Sequence, residues 1–398
     1  MARKTRPETP DAGGTVPAYA RIPLGMDTDR RVEVGRTNRR LALVMSLIAA
    51  ALMAAATMAY INTVRAAESE ALRRLETFNM LRHDAVLAFF RTHDNEARIW
   101  AENREFEARA EEIFEDWRAM TRDEKADIRA HLVEGAPLPA PTPAQTTYLD
   151  HTRRITPTLL SFIEHHGFYD LFLFDPEGEL AYTVVREDDF GLAYGETGSA
   201  AANPYYDTGL GRVARQAATF DIREGGELPT AVSDFEPYAP SGGSMEAFIA
   251  EPLPSPDGRG KAGVLAIQLS FAELNHILDY RSGLSASGRT LLVGADGSIR
   301  NTPETLPEGA ALRLDTEPVT RALAGERFRG AARGASGQPT YAASQPLDYN
   351  GLRWAVLTEV DRDEVRAPLR IYLWTWLLSL LGIAITSALM YQILRVRR

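Results

Sequence analysis

Two stretches without a charged residue, Leu41–Ile61 and Ile371–Leu394, constrain this chain more than any other feature. They run to 21 and 24 residues, and a helix needs about 20 apolar residues to cross the hydrocarbon core of a bilayer. The first follows some 40 residues of chain and is longer than the roughly 7–15 apolar residues of a signal peptide, so it reads as an uncleaved anchor. Basic residues set the orientation. Arg30, Arg31, Arg36, Arg39 and Arg40 lead into the first span, and Arg395, Arg397 and Arg398 follow the second. Basic flanks stay in the cytoplasm, which puts both termini inside and the middle of the chain outside. Arg65, Arg366 and Arg370 lie on the outer side, but they are fewer and mixed with acids. Tyr372, Trp374 and Trp376 fall at the outer end of the second span, where an aromatic belt is expected.

Charge and cysteine content narrow the chemistry. The net charge is −10 although both ends are basic, so the external part is strongly acidic. Such a surface does not favour nucleic acid or anionic lipid as a partner. The absence of cysteine excludes thiolate metal sites, thiol catalysis and disulfides, so the external part must be held by its core.

Residues 1–40 are rich in Pro, Gly, Thr and charge, which reads as a disordered cytoplasmic tail. From Thr63 to Trp117 the pattern is helical: Leu72, Leu75, Phe78, Leu81, Val86, Phe89 and Phe90 recur at three- and four-residue steps. No Gly or Pro occurs between Thr63 and Glu134, which suits a long stalk. A helix over 122–132 precedes the break at Pro137, Pro139, Pro141 and Pro143, and another over 144–165 stops at Gly167.

A sheet begins at Tyr169. Strands are expected at Asp170–Phe174 and Glu179–Val185, joined by a turn at Asp175-Pro176-Glu177-Gly178. A long loop follows, holding Tyr194, Tyr205 and Tyr206, then a short helix over 209–218. Further strands are expected at 231–235, 245–251 and 262–269, with a hairpin connection over 252–258 and a helix over 271–280. A smaller unit then has strands at 290–294, 298–300, 339–345 and 352–359 and a helix over 316–323. Each unit has a strand, an acidic-Gly turn and a second strand, so Asp175–Gly178 in one mirrors Asp296-Gly297 in the other, an imperfect internal repeat.

The sequence resembles the double Cache family of extracytoplasmic sensor domains of bacterial chemoreceptors, histidine kinases and membrane cyclases. The resemblance is carried by YDLFLFDPEGELAYTVVREDDFG (169–191), YYDTGL (205–210), SDFEPYAPS (233–241), AFIAEPL (247–253), GVLAIQLS (263–270), SGRTLLVGADGSIRN (287–301) and GLRWAVLTEVDRDE (351–364). It implies an α+β fold: a long N-terminal helical stalk and two stacked Cache-like (PAS-like) antiparallel-sheet modules, flanked by two transmembrane helices. The expected order is a tail over 1–40, a first span over 41–61, stalk and helices over 62–168, a membrane-distal module over 169–281, a membrane-proximal module over 282–366, a second span over 371–394 and a cytoplasmic end over 395–398. Residues 62–370 would be periplasmic, in a protein of the bacterial inner membrane. The amino-acid pattern of one branch, a Tyr followed by an Arg and a Trp-Tyr pair, is not present, so amino-acid specificity is not implied. Such receptors normally continue past the second span into an output domain, whereas this sequence stops at Arg398; either the output is a separate cytoplasmic or membrane protein or the sequence is not the whole gene product. The helices are expected to pair with a second copy in a homodimer.

A small-molecule ligand in the distal module would meet Tyr182, Arg186, Asp189, Tyr194, Tyr206, Asp234, Tyr238 and Phe248. Aromatic rings supply apolar walls, and an Arg or Asp fixes a charged end. The alternative is that Tyr182 and Phe248 pack the sheet core while Arg186 and Asp189 pair on the surface. His165-His166 suggests metal, but adjacent helical positions point about 100° apart and do not chelate together. No HExxH, P-loop, nucleophile elbow or dinucleotide fingerprint occurs, so neither an enzyme nor a cofactor is expected. The rival readings are a protein-binding accessory subunit and a structural membrane protein of the polysaccharide chain-length regulator type. The second predicts long helices late in the external part, where 245–360 reads as strands and turns.

Overall fold

The computed structural model describes residues 26–396 except 197, 223–227, 257–259, 280–282, 302 and 304–312. The chain divides into two compact units, one of residues 1–64 with 369–398 and one of residues 65–368. In the first, the apolar part of α1 (Met26–Ala101) lies against α9 (Arg370–Val396). Trp376 stacks on Tyr60 with ring centroids 5.6 Å apart, and its Nε1 donates to Thr57 Oγ1 at 3.2 Å. Among the described residues these are two helices long and apolar enough to cross a membrane. Residues 1–25 of the expected tail lie outside the described residues. From Met26 the chain is already helical, where disorder was expected through residue 40. The apolar run that follows propagates helix backwards, because extending a formed helix costs far less than starting one.

The second unit opens with α1 from Arg65 onward, then α2 (Arg104–Ala119), α3 (Arg122–Val133) and α4 (Pro143–His166). The stalk is therefore not continuous to Trp117. It breaks at Glu102 and Asn103, where the Asn103 carboxamide accepts from Glu105 N and Phe106 N at 3.0 Å each and caps α2. Thr121/Glu124 and Thr142/Gln145 form capping boxes at the starts of α3 and α4.

A six-stranded antiparallel sheet follows, built from β1 (Asp170–Phe174), β2 (Leu180–Thr183), β3 (Ala231–Val232), β4 (Glu236–Tyr238), β5 (Ser244–Pro254) and β6 (Lys261–Leu269), in the order β2-β1-β6-β5-β3 with β4 paired to β5. The helix α5 (Gly209–Thr219) covers one face and α2 with α4 the other. Both faces are thus apolar, which is why β1 and β6 read as unbroken hydrophobic runs. Leu171 and Leu173 pack towards α2 and α4, whereas Phe172 and Phe174 pack towards α5. The turn between β1 and β2 needs glycine at Gly178, where φ is 81° and a Cβ would lie 2.5 Å from Gly195 Cα. After β6 come α6 (Phe271–Asp279) and a four-stranded sheet of β7 (Arg289–Gly294), β8 (Phe328–Arg333), β9 (Pro339–Tyr349) and β10 (Leu352–Asp361), ordered β7-β10-β9-β8, with α7 (Glu317–Leu323) on one face. On its other face α1 docks: Asn79 Nδ2 donates to Val356 O at 2.8 Å, and Phe90 lies 5.1 Å from Trp354. The short α8 (Arg362–Arg366) closes the unit.

Several expectations shift. β5 and β9 are longer than expected, and β4 and β8 were not foreseen. The expected strand at Ser298–Arg300 makes only isolated bridges, Val293 to Ile299 and Ser298 to Arg313. Residues 257 and 258 of the expected hairpin connection and Tyr280 at the end of the expected helix lie outside the described residues. The two acidic-Gly turns do match. Gly178 and Gly297 both have φ near 80°, and Asp175 and Asp296 each accept from a backbone N–H across their turn, at 2.8 and 3.0 Å.

Candidate functional site

After β2 the chain turns back along its own sheet. Leu180 N donates to Leu192 O at 2.9 Å and Tyr194 N to Gly178 O at 2.7 Å, so residues 191–194 run beside β2. This return carries Asp189 and Tyr194 to the α5 side of the sheet, where β4 brings Tyr238 and β5 brings Phe248. The rings form a close set. Tyr238 meets Phe248 at 4.9 Å and 70°, Phe248 meets Phe172 at 6.0 Å, and Tyr194 meets Phe174 at 5.4 Å and 87°.

The polar groups in this aromatic set are only partly satisfied. Asp189 has no exposed surface; its Oδ2 accepts from the Tyr238 hydroxyl, and its Oδ1 has no partner. The Tyr194 hydroxyl, also buried, makes no well-aligned hydrogen bond, with Asn203 and Tyr238 as its polar neighbours. Burial pushes the Asp189 carboxyl up to about 7, against the bond from Tyr238, and the neighbouring Glu187 and Asp188 add to the rise. Asp170, opposite Gln268 on the same face, is different in kind. It accepts from Leu171 N, Val184 N and Val185 N at 2.6, 3.0 and 3.1 Å and from Thr183 Oγ1, which pins the turn after β2. Burial raises it to about 8.

A cleft of about 540 Å³ opens beside this set, lined by Phe174, Asp175, Tyr194, Tyr206, Ala214 and Arg215 among others. Tyr194, with Phe174, Ala214 and Val264, belongs to both the cleft wall and the buried set, so these side chains separate the cleft from the inner cluster. Across the cleft, the Arg215 guanidinium lies 3.9 Å from the centre of the Tyr206 ring and donates to Tyr206 O at 2.6 Å.

Of the eight residues expected at a ligand site, Asp189, Tyr194, Tyr238 and Phe248 come together, and Tyr206 stands on the adjoining cleft. Tyr182 does not join them. It pairs with Leu173 in register and points to α4, where its hydroxyl lies 2.9 Å from Thr156 Oγ1. Arg186, at φ 63° three residues past the end of β2, lies near Tyr148 and Tyr182 on that same side. Asp234 binds Arg300 Nε and Nη2 at 2.9 and 2.8 Å and Trp354 Nε1 at 2.9 Å, a junction between the two sheets rather than a pocket wall. Asp189 is not on the surface, so the surface-pair alternative for it does not hold. Sequence reasoning passed over Arg215, whose only signal was an aromatic-rich loop next to an amphipathic helix, and read Asp175 only as a turn residue. His166 pairs with Glu96 at 2.9 Å, and among the described residues no three His, Asp or Glu are placed to share a metal ion.

No protein-family model matches the chain, and no curated protein matches it. Solved structures do. The ligand-binding domain of the Pseudomonas fluorescens chemoreceptor CtaA, in complex with L-isoleucine, is 16% identical at a TM-score of 0.38, over 77% of this chain and 98% of that one. The sensory domain of the Campylobacter jejuni chemoreceptor Tlp3 is 12% identical at 0.42, over 76% and 98%. The ligand-binding domain of the Pseudomonas aeruginosa chemoreceptor PctB, in complex with L-Gln, is 20% identical at 0.35, over 66% and 90%. All three are sensory domains. These TM-scores lie below 0.5, so the ligand and mechanism of the present chain rest on its own geometry.

Proposed function

We propose that this chain is a membrane-anchored receptor whose external unit binds a small molecule bearing a protonated nitrogen at Asp189. Both termini lie in the cytoplasm, and the unit of residues 65–368 lies outside the cell membrane, as the basic flanks of the two apolar helices support. The observation that carries the reading is the buried Asp189 Oδ1 left without a partner, beside the poorly aligned Tyr194 hydroxyl, within a box of aromatic rings. An unpaired buried acceptor costs about 1–3 kcal/mol, more when charged, and a ligand N–H donor removes that cost. An ammonium group would also be held by the faces of Tyr238, Tyr194 and Phe248. Entry runs from the cleft, by rotation of Tyr194 away from Phe174.

Binding of this kind would shift the unit between two states only if the ligand favours one of them. The closed box without ligand and the same box with Tyr194 displaced are two such states. The test is a thermal-shift screen of the full chain in nanodiscs against amines, amino acids and purines, with matched carboxylic acids lacking nitrogen. A ligand present at 100 times its Kd should stabilise by about 2.7 kcal/mol. The expected result is an upward shift with nitrogen-bearing compounds that Asp189→Asn abolishes and Tyr194→Phe weakens. Shifts produced by the nitrogen-free acids, or shifts that survive Asp189→Asn, would contradict the reading.

A further inference from the structure

On the opposite face of β5 from Phe248 lies a second buried polar cluster that the ligand site does not use. Glu251 has no exposed surface. It shares the hydroxyl of Thr230, which lies 2.9 Å from Glu251 Oε1 and 2.5 Å from Asp94 Oδ1. A hydroxyl carries one hydrogen. If it donates to one carboxyl it must accept from the other, so one of the two acids holds a proton.

The surroundings decide which. Asp94 Oδ2 also receives Tyr349 OH at 2.9 Å and Arg98 Nη2 at 3.3 Å, donors suited to an anion. Glu251 receives less help: its Oε2 has no hydrogen-bond partner, and Arg98 Nε stands at the longer distance of 3.8 Å from Oε1. An orphaned carbonyl oxygen of a neutral acid is cheaper than an orphaned carboxylate oxygen. The groups that face Glu251 are Asp94 and Arg98 from α1 and Thr230 from the segment before β3, with Tyr349 of β9 and Arg91 of α1 behind Asp94.

We infer that a neutral Glu251 donates to Thr230 and Thr230 to an ionised Asp94, a proton-held chain that fastens α1 to both sheets and releases it when the proton leaves. The chain joins α1 to β5 through Thr230 and to the four-stranded sheet through Tyr349. β5 carries Phe248 of the ligand site three residues earlier, so a shift of that strand reaches α1 directly. Burial, helped by the charge of Asp94, pushes the Glu251 carboxyl up to about 9, in agreement with the hydrogen count. Above that pH two anions would face one hydroxyl hydrogen. The inference does not depend on the ligand reading, because none of these groups lies on the α5 side of the sheet.

The test uses the full chain in nanodiscs, as wild type and Glu251→Gln, in which the carboxamide N–H₂ can still donate to Thr230. Infrared difference spectra between the two at pH 7 should show the carbonyl stretch of a protonated carboxylic acid in the wild type only, and it should vanish as the pH is raised past 9. Raising the pH should also lower the wild-type melting temperature more than that of Glu251→Gln. Should the variant fold poorly, hydrogen exchange on the wild type alone decides. After correction for intrinsic rates, segments 90–98, 228–232 and 345–351 should lose protection together between pH 7 and pH 10. Absence of the band at pH 7, identical pH profiles, or independent loss of protection in the three segments would overturn the proposal.

Discussion

At Asp189 the requirements of folding oppose those of the proposed binding. Its folded-state pKa is raised to about 7 by burial, above the roughly 3.9 of an unfolded Asp. The associated stability is therefore present at low pH and is lost as the pH rises through 7. Replacement by Asn removes that loss. Asp189→Asn is expected to melt higher than wild type at pH 8 and no higher at pH 5, a difference readable by circular dichroism, while ligand response disappears. Which residues join Asp189 was only half legible. Tyr194, Tyr238 and Phe248 were foreseen because aromatic residues beside a charged loop suggest a pocket. Tyr182 was misplaced because its face depends on pairing with Leu173, and a one-residue slip of register would have turned it to the α5 side.

Among the elements, α2 shows how a polar cap overrides an unbroken helical pattern. Nothing between Thr63 and Glu134 is Gly or Pro, yet the helix ends at Ala101 and restarts at Arg104, because the Asn103 side chain satisfies two free N–H groups of the new first turn. Asn103→Ala is expected to cost about 1 kcal/mol of stability in denaturant unfolding. The long strands were legible from their apolar runs. β4 was not, since its three residues, Glu236-Pro237-Tyr238, include a proline and pair only at the sheet's margin. β8 was missed for a different reason: Phe328–Arg333 is built mostly of Arg, Ala and Gly, with little β-branched or aromatic signal.

Within the unit of residues 65–368, four buried acids shift in the same direction. Burial raises Asp175 to about 6, Asp189 to about 7, Asp170 to about 8 and Glu251 to about 9. Each contributes stability below its unfolded pKa and loses it as the pH rises through its folded one. Glu68, Asp296 and Glu364 are shifted down and act the opposite way, losing their contribution in acid. The melting temperature should thus peak at about pH 4, around the unfolded carboxyl pKa values, and fall steadily towards about pH 9, a profile that differential scanning calorimetry measures directly. The topology has its own test, made simple by the lack of cysteine. Ser199→Cys, on the exposed loop after β2, is expected to react with a membrane-impermeant maleimide in spheroplasts without lysis. Reaction only after lysis would reverse the orientation. The two long apolar helices were legible from length and the long strands from their apolar runs, while the antiparallel pairing was expected only from the family resemblance; the inner polar groups were not legible, because hydrogen-bond partners far apart in sequence leave no local pattern.

The most direct measurement is the pH dependence of binding for a nitrogen-bearing compound that shifts the melting temperature, by titration calorimetry on wild type and Asp189→Asn at pH 8 and pH 5. If the ligand cation pairs with ionised Asp189, wild-type affinity should fall by about tenfold for each pH unit below 7, and the variant should bind weakly with no such dependence. Equal wild-type affinities at pH 8 and pH 5 would contradict the account.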